Sequence, residues 1–197
     1  MSPLLWSLFS AAHADEGGVR FVAGVEVGPL VPLTRLSPAF APRVEAGLEL
    51  PVWDGHLRWL ASASWARPVV EGTGQDPRVP DGRYDYRVAQ DELTIATGPT
   101  LRIVDLGGPI TPELSAGPAM FLLRSTADGS AGGAAFGAAQ EQYTRLGAFA
   151  AVGATLDAGP GELVLDVGFQ SSALGGTITG VRPTAAVTPW LGYRLVL

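Results

Sequence analysis

Residues 43–50 read Arg-Val-Glu-Ala-Gly-Leu-Glu-Leu. Successive side chains of a β-strand point to opposite faces, so Arg43, Glu45, Gly47 and Glu49 share one face and Val44, Ala46, Leu48 and Leu50 the other. The same two-faced pattern returns at 162–170, where Glu162, Asp166 and Gln170 alternate with Leu163, Leu165, Val167 and Phe169. A half-buried soluble strand shows this once. Its recurrence, with glycines among the charges and alternation running to Leu197, points to a closed barrel with its apolar side toward lipid and its polar side inward.

Composition agrees with a chain whose surface is not all wetted. The 197 residues suffice for one domain with a core. They are 47% hydrophobic and 16% charged, below the roughly 25% charge of soluble domains. Mean hydropathy is +0.23, yet no run reaches the ~18 uncharged apolar residues of a membrane helix; the window 146–156 is cut by glycine. A chain of this kind crosses a bilayer as strands. A net charge of -6 with no basic cluster argues against nucleic acid as a partner. All basic side chains apart from histidine are Arg, and without Cys there is no disulfide or thiolate chemistry.

Residues 1–14 read as an export signal: Leu4, Leu5, Trp6, Leu8 and Phe9 form a short apolar core, and Ala12-His13-Ala14 is a small-x-small cleavage site, though no Lys or Arg precedes the core. The mature domain is then 15–197, a single barrel.

Alternation and turn signals predict eight strands, near 19–28, 42–51, 57–66, 86–104, 110–123, 144–156, 162–171 and 184–197. Tight turns rich in Gly and Asp fall at 53–55, 105–108 and 157–161. The other connections, 29–41, 67–85, 124–143 and 172–183, are long and lack regular alternation. Long and short connections alternate strictly, so the long ones gather at one end of an up-and-down meander. Folding the hairpins on their short turns sets Glu49 against Arg58, Arg102 against Glu113, and Asp166 against Gly153 on the charged face. Leu48 then meets Trp59, Leu101 meets Leu114, and Leu165 meets Ala154 on the other face. The third hairpin also places Asp157 beside Glu162, a like-charge pair that needs solvent or an arginine. Pro99, Pro112, Pro118 and Pro189 fall inside strands, where bulges or shifted boundaries are expected. The Ala/Gly-rich run 130–139 reads as a loop tip.

The last eight residues, Trp-Leu-Gly-Tyr-Arg-Leu-Val-Leu, resemble the terminal strand by which outer-membrane barrels are recognised by their assembly machinery: Gly192, Leu195 and Leu197 match, while Trp190 stands at the usual polar position and Leu197 in place of Phe. From about Asp15 the chain resembles the small eight-stranded barrels typified by the OmpA transmembrane domain, with no peptidoglycan-binding domain following. The resemblance implies a closed antiparallel transmembrane barrel in the bacterial outer membrane, short periplasmic turns, long external loops, and outer-membrane lipid and lipopolysaccharide as surroundings. Trp53, Trp59, Trp65, Tyr84, Tyr86, Tyr143, Trp190 and Tyr193 suit aromatic girdles.

An eight-stranded barrel is just filled by its side chains, so the inward charges Arg20, Glu49, Arg58, Arg102, Glu113 and Arg194 read as an ion-pair network near the short-turn end that plugs the lumen and fixes register. Catalysis finds little support. His13 lies in the signal and His56 in a short turn, so a Ser-His-acid hydrolase lacks a base. Outer-membrane lipid-modifying enzymes of similar fold use a His and a Ser near the external rim, where this chain has no His. Asp91 and Glu92 point to opposite faces. Glu71, Asp76, Asp81 and Asp85 lack fixed metal-ligand spacing. No cofactor is expected. The readings are therefore an outer-membrane barrel with a structural or surface-interaction role, a narrow solute channel, or a soluble exported lipocalin-like barrel with its apolar face turned inward to a ligand.

Overall fold

The structure, a computed structural model, describes residues 18–52, 56–103, 109–172 and 185–197. The expected export signal, the turns at 53–55 and 105–108 and nearly all of the 172–183 connection lie outside the described residues. Nine strands follow in order: β1 (Arg20–Pro32), β2 (Ala39–Leu50), β3 (Leu57–Ala66), β4 (Val69–Gln75), β5 (Arg83–Arg102), β6 (Ile110–Ala131), β7 (Ala134–Ala158), β8 (Gly161–Ser172) and β9 (Ala185–Val196).

All pairings are antiparallel, and the sheet closes on itself through β1 with β9 and β3 with β5. Strands β3 and β4 both pair with β5 in one continuous register, Ala66 opposite Glu92 and Val69 opposite Ala89. They are one stave interrupted at Pro68, which has no N–H to give but whose carbonyl accepts from Gln90 N at 3.0 Å. The barrel thus has eight staves. The C-terminal residue is tied into the closure: Leu197 N donates to Phe21 O at 2.7 Å and Phe21 N to Leu197 O at 2.9 Å.

Register carried round the barrel from Leu30 passes Thr188, Gly168, Ala151, Ser115, Thr100, Arg58 and Glu49 and returns to β1 at Arg20, ten residues below its start. That stagger over eight strands sets a tilt of roughly 40° to the axis. The register expected from the short turns is the one observed, including Glu49 with Arg58, Arg102 with Glu113, and Asp157 with Glu162.

Three expectations change. The connections 67–85 and 124–143 are largely strand: β4, the start of β5 and the ends of β6 and β7 form a sheet that continues well past the rest of the barrel. Residues 130–139 are mostly paired strand around a turn at Gly132 and Gly133, both at positive φ. Their small and polar side chains show no apolar alternation because neither face of that extension packs on a core. The connection placed at 29–41 shrinks to 33–38. Finally, Pro99, Pro112, Pro118 and Pro189 sit within strands without displacing them. The β5–β6 ladder skips the pairs between Ala96–Ala119 and Thr100–Ser115 and resumes in the same register. The one register shift in the β6–β7 ladder lies elsewhere, between Asp128 and Gly129.

Polarity is inverted relative to a soluble domain. Phe21 (66% exposed), Val25, Phe40, Val44, Trp59, Leu114, Leu146 (74%), Leu165 and Leu191 face outward, while Glu26, Glu49, Arg58, Glu113 and Arg194 are buried within. A lipocalin-like arrangement needs the opposite, so that alternative fails on the orientation of the faces.

Candidate functional site: the barrel interior and the outer sheet

The lumen divides along its length. Toward the short-turn end, Arg58 is 1% exposed and sits at the centre of a charged cluster. Its Nε and Nη2 donate to Glu49 Oε2 at 2.8 and 2.7 Å, Nη1 and Nη2 reach the two oxygens of Glu162 at 2.7 Å each, and Nη1 reaches Glu113 at 3.3 Å. Arg102 meets the same three carboxylates, at 3.3 Å to Glu49, 3.1 Å to Glu113 and 2.8 Å to Glu162. Arg194 joins Glu113 at 2.8 Å and also Glu45. One layer further along, Arg43 pairs with Glu26 and with Asp166 at 3.2 Å, its guanidinium 4.6 Å from the Trp190 ring centroid.

The strands supply these contacts two at a time. Glu49 lies opposite Arg58, Arg102 opposite Glu113, Glu162 opposite Arg194 and Glu26 opposite Arg43. Glycines make room among the charges. A Cβ on Gly24 would come within 2.8 Å of Glu45 Oε1, and one on Gly192 would run into Glu26.

Of the six charges named from sequence, Glu49, Arg58, Arg102, Glu113 and Arg194 meet in this cluster, while Arg20 stays at the rim, its side chain 57% exposed and 3.6 Å from Glu49. Sequence reasoning left Glu26, Arg43, Glu45, Glu162 and Asp166 out of the network. Glu162 is the most instructive omission. Judged beside Asp157 it looked repulsive, yet Asp157 is exposed and Glu162 turns into three arginines. Its position directly opposite Arg194 across β8–β9 was the available signal.

Toward the other end the interior is mostly apolar, which the expectation of a charged plug did not include. Leu30, Ala41, Ala66, Ala186 and Trp190 form one cluster; Ala96, Ala119, Phe121 and Leu123 form another, with Tyr143 and Phe149 packed against it. Trp190 and Tyr143 are therefore interior side chains and not girdle residues, whereas Trp59 and Trp65 do face outward. Glu92, 3% exposed, lies in this half and accepts from Gln90 (3.3 Å), Thr94 (3.4 Å) and Gln170 (2.8 Å). Between the layers lie two cavities of about 30 Å³ each, sharing Arg43, Ser62, Phe149 and Ala151 in their walls. Such volumes admit about one or two waters and no solute. Thr100 Oγ1 and Thr188 Oγ1, buried without a protein partner, face one cavity each.

Outside, the apolar belt ends abruptly. Trp65, Leu93 and Leu122 stand opposite one another. Two residues higher Asp91 faces Arg124, with Arg67 3.5 Å away; four higher again come Glu71, Arg87 and Asp128, with Arg87 and Glu71 3.2 Å apart. The last row lines an open groove of about 640 Å³ with Thr73, Asp85 and Ser130. Within the 76–82 connection Arg78 holds Asp76 through contacts of 2.6 to 3.2 Å, which lowers the Asp76 carboxyl to about 2. His56 Nδ1 is 2.9 Å from the Arg102 carbonyl, a contact at the turn end. Among the described residues no group of His, Cys, Asp and Glu is arranged to hold a metal ion.

No family model matches the chain and a search of curated proteins finds no relative. Solved structures do resemble it. Neisserial surface protein A superposes with a TM-score of 0.52 at 19% identity, over 90% of this chain and 98% of that one. A major outer membrane protein from Thermus thermophilus gives 0.53 at 14% identity, over 90% and 99%. The chain has the fold of the small eight-stranded outer-membrane β-barrels.

Proposed function

We propose that this protein spans the bacterial outer membrane as a sealed barrel with a structural or surface-interaction role. The observation that carries the reading is the inverted polarity: large apolar side chains outside, ion pairs within. From Leu93 on β5 to Ile103 just past its end the outward belt covers ten residue steps, which at the strand tilt is roughly 25 Å, the height of a membrane barrel's lipid-facing band. The charged cluster and the two apolar clusters lie in series along the lumen, which supports a seal over solute conduction. The β4–β7 extension, with its alternating rows Arg67–Asp91–Arg124 and Glu71–Arg87–Asp128, is the surface offered beyond the bilayer. Outer-membrane lipid and lipopolysaccharide surround the belt, and the segment 190–197 serves the barrel-assembly machinery during insertion. Leu195 and Leu197 contribute to that recognition, while Gly192 also has a packing role against Glu26. Export through a cleaved signal at 1–14 completes the route.

The test is membrane fractionation with electrophoresis before and after heating, and conductance in planar bilayers. The reading expects an outer-membrane band that shifts on heating and no conductance above background. Recovery from the periplasm without detergent overturns the location, and steady single-channel currents overturn the seal in favour of a narrow channel.

A further inference from the structure

The two charged layers of the lumen do not balance alike. Nearer the short turns, Glu49, Glu113 and Glu162 meet Arg58 and Arg102, with Arg20 reaching Glu49 from the rim at 3.6 Å. Carboxylates and guanidinium groups match there. In the next layer Glu26, Glu45 and Asp166 have only Arg43 and Arg194, and Arg194 is shared with Glu113. Among the described residues this second layer is one positive charge short. The shortfall is enclosed, because Glu26, Glu45 and Asp166 are all buried. An uncompensated charge held away from water is costly. One of the cavities of about 30 Å³ adjoins the layer. Its walls include the carboxylates of Glu45 and Asp166, the hydroxyls of Ser62, Thr100 and Ser115, and Arg43 and Arg194, both of which are held by carboxylates. Thr100 is 2% exposed and its Oγ1 has no protein partner.

We propose that this cavity binds one bare monovalent cation of the size of sodium, held between the hydroxyl wall of Ser62, Thr100 and Ser115 and the carboxylates of Glu45 and Asp166. Two independent observations meet in that occupant, the missing charge and the orphaned hydroxyl oxygen. A water molecule satisfies Thr100 Oγ1 but leaves the charge. A proton on a carboxylate cancels the charge but leaves Thr100. A sodium ion does both, since alkali cations take hard oxygen ligands of this kind. A divalent ion would overshoot the shortfall by one charge and would meet two arginines in the same walls. The volume that takes about one water takes a bare sodium ion, which is smaller, and excludes a hydrated one. The site rests on the enclosed lumen of the barrel reading above and goes beyond it by giving the interior a ligand.

The test refolds the protein in phosphatidylcholine vesicles at fixed ionic strength, in sodium chloride or in N-methylglucamine chloride, whose cation is too large for the cavity. Unfolding in urea is read from tryptophan fluorescence and the electrophoretic heat shift, at one pH and then across neutral pH. The inference expects a higher urea midpoint in sodium. Above half-saturation the folded-to-unfolded ratio should rise about tenfold for each tenfold of sodium, the slope of a single site. Thr100→Val, isosteric but without the hydroxyl, should keep the heat shift and lose most of the sodium dependence. Asp166→Asn removes the unmatched carboxylate and should respond to sodium no more than to N-methylglucamine. Equal midpoints in the two salts for the unaltered protein, or a sodium dependence undiminished in both variants, overturns the site. A midpoint that follows pH and ignores sodium gives the missing charge to a proton and overturns it as well. A chain with no heat shift in either salt overturns the barrel reading itself.

Discussion

Replacing Arg58 by Met isolates the contribution of the charged cluster. The side chain is fully enclosed and gives five hydrogen bonds of 2.7 to 3.3 Å to Glu49, Glu113 and Glu162. Methionine keeps most of the volume but leaves those three carboxylates to Arg102 and Arg194, which already serve Glu45 as well. Removing one partner of a buried ion pair costs about 3–5 kcal/mol, because the remaining charge stays desolvated. The folded-to-unfolded ratio should therefore fall by roughly two to four powers of ten at a fixed urea concentration, read from tryptophan fluorescence and the electrophoretic heat shift in vesicles. Adding Glu162→Gln removes the carboxylate that Arg58 holds most closely and should restore about 1–2 kcal/mol, a coupling expected for neighbours in one network. Conductance should stay at background in both variants, since Phe121 and Leu123 still close the other half. A loss below about 1 kcal/mol for Arg58→Met, or a double variant no more stable than the single, would refute the assignment of register and stability to this cluster.

Opening both layers at once, with Arg58→Met and Phe121→Ala together, is expected to give current in planar bilayers where neither single variant does. Gly192→Val should abolish refolding in vitro, because its Cβ meets Glu26 and the Val25 carbonyl, whereas Leu195→Ala and Leu197→Ala should refold in vitro and lose insertion in cells; the comparison of refolded and inserted protein separates the two effects. Cysteine labelling by a charged maleimide in intact membranes should be blocked at Ile95→Cys and rapid at Asp128→Cys, which bracket the Asp91–Arg124 row. In the 76–82 connection, the Asp76 carboxyl is depressed to about 2 by Arg78, so the contact's contribution is complete above the ordinary carboxylate range and is lost only as pH falls through about 2. NMR titration of the Asp76 carboxyl should show no transition between pH 8 and 4.

The alternation at 43–50 and 162–170 disclosed the barrel because both faces there meet uniform surroundings, apolar outside and crowded inside. The same rule failed at 67–85 and 124–143. Beyond the belt Glu71, Thr73, Asp85 and Ser130 look out on water while Gly72, Gly74, Tyr84 and Tyr86 line the other face, so no apolar period marks the strands. Half of the interior was equally opaque. Trp190 suits a girdle by residue type and Leu30 falls in a stretch that reads as a connection, and register, carried from strand to strand, turns both inward; Phe121 and Leu123 lie on the charged face of their hairpin but carry no charge to mark them as interior. Direct pairs were visible across a single turn, as with Glu49 and Arg58, but contacts across the lumen such as Arg58 with Glu162 depend on barrel stagger, which no single hairpin reveals.

That stagger is what the interior charges protect. A slip of one residue between neighbouring strands is forbidden by the belt, because it sends every apolar side chain to the wrong face. A slip of two keeps every face and leaves the apolar pattern intact, so contact with lipid cannot oppose it. It does break the charged rows: moved by two, Glu49 would face Leu60 or His56, and Arg102 would face Ser115 or Thr111. Each such slip strands buried carboxylates and guanidinium groups at several kcal/mol apiece. Four opposed pairs, on β1–β2, β2–β3, β5–β6 and β8–β9, check half of the eight seams in this way. The β9–β1 seam carries no such pair and has a gap in its ladder, so its register rests on the pairs to either side of Pro29 and Pro189 and on the seams that do carry charges.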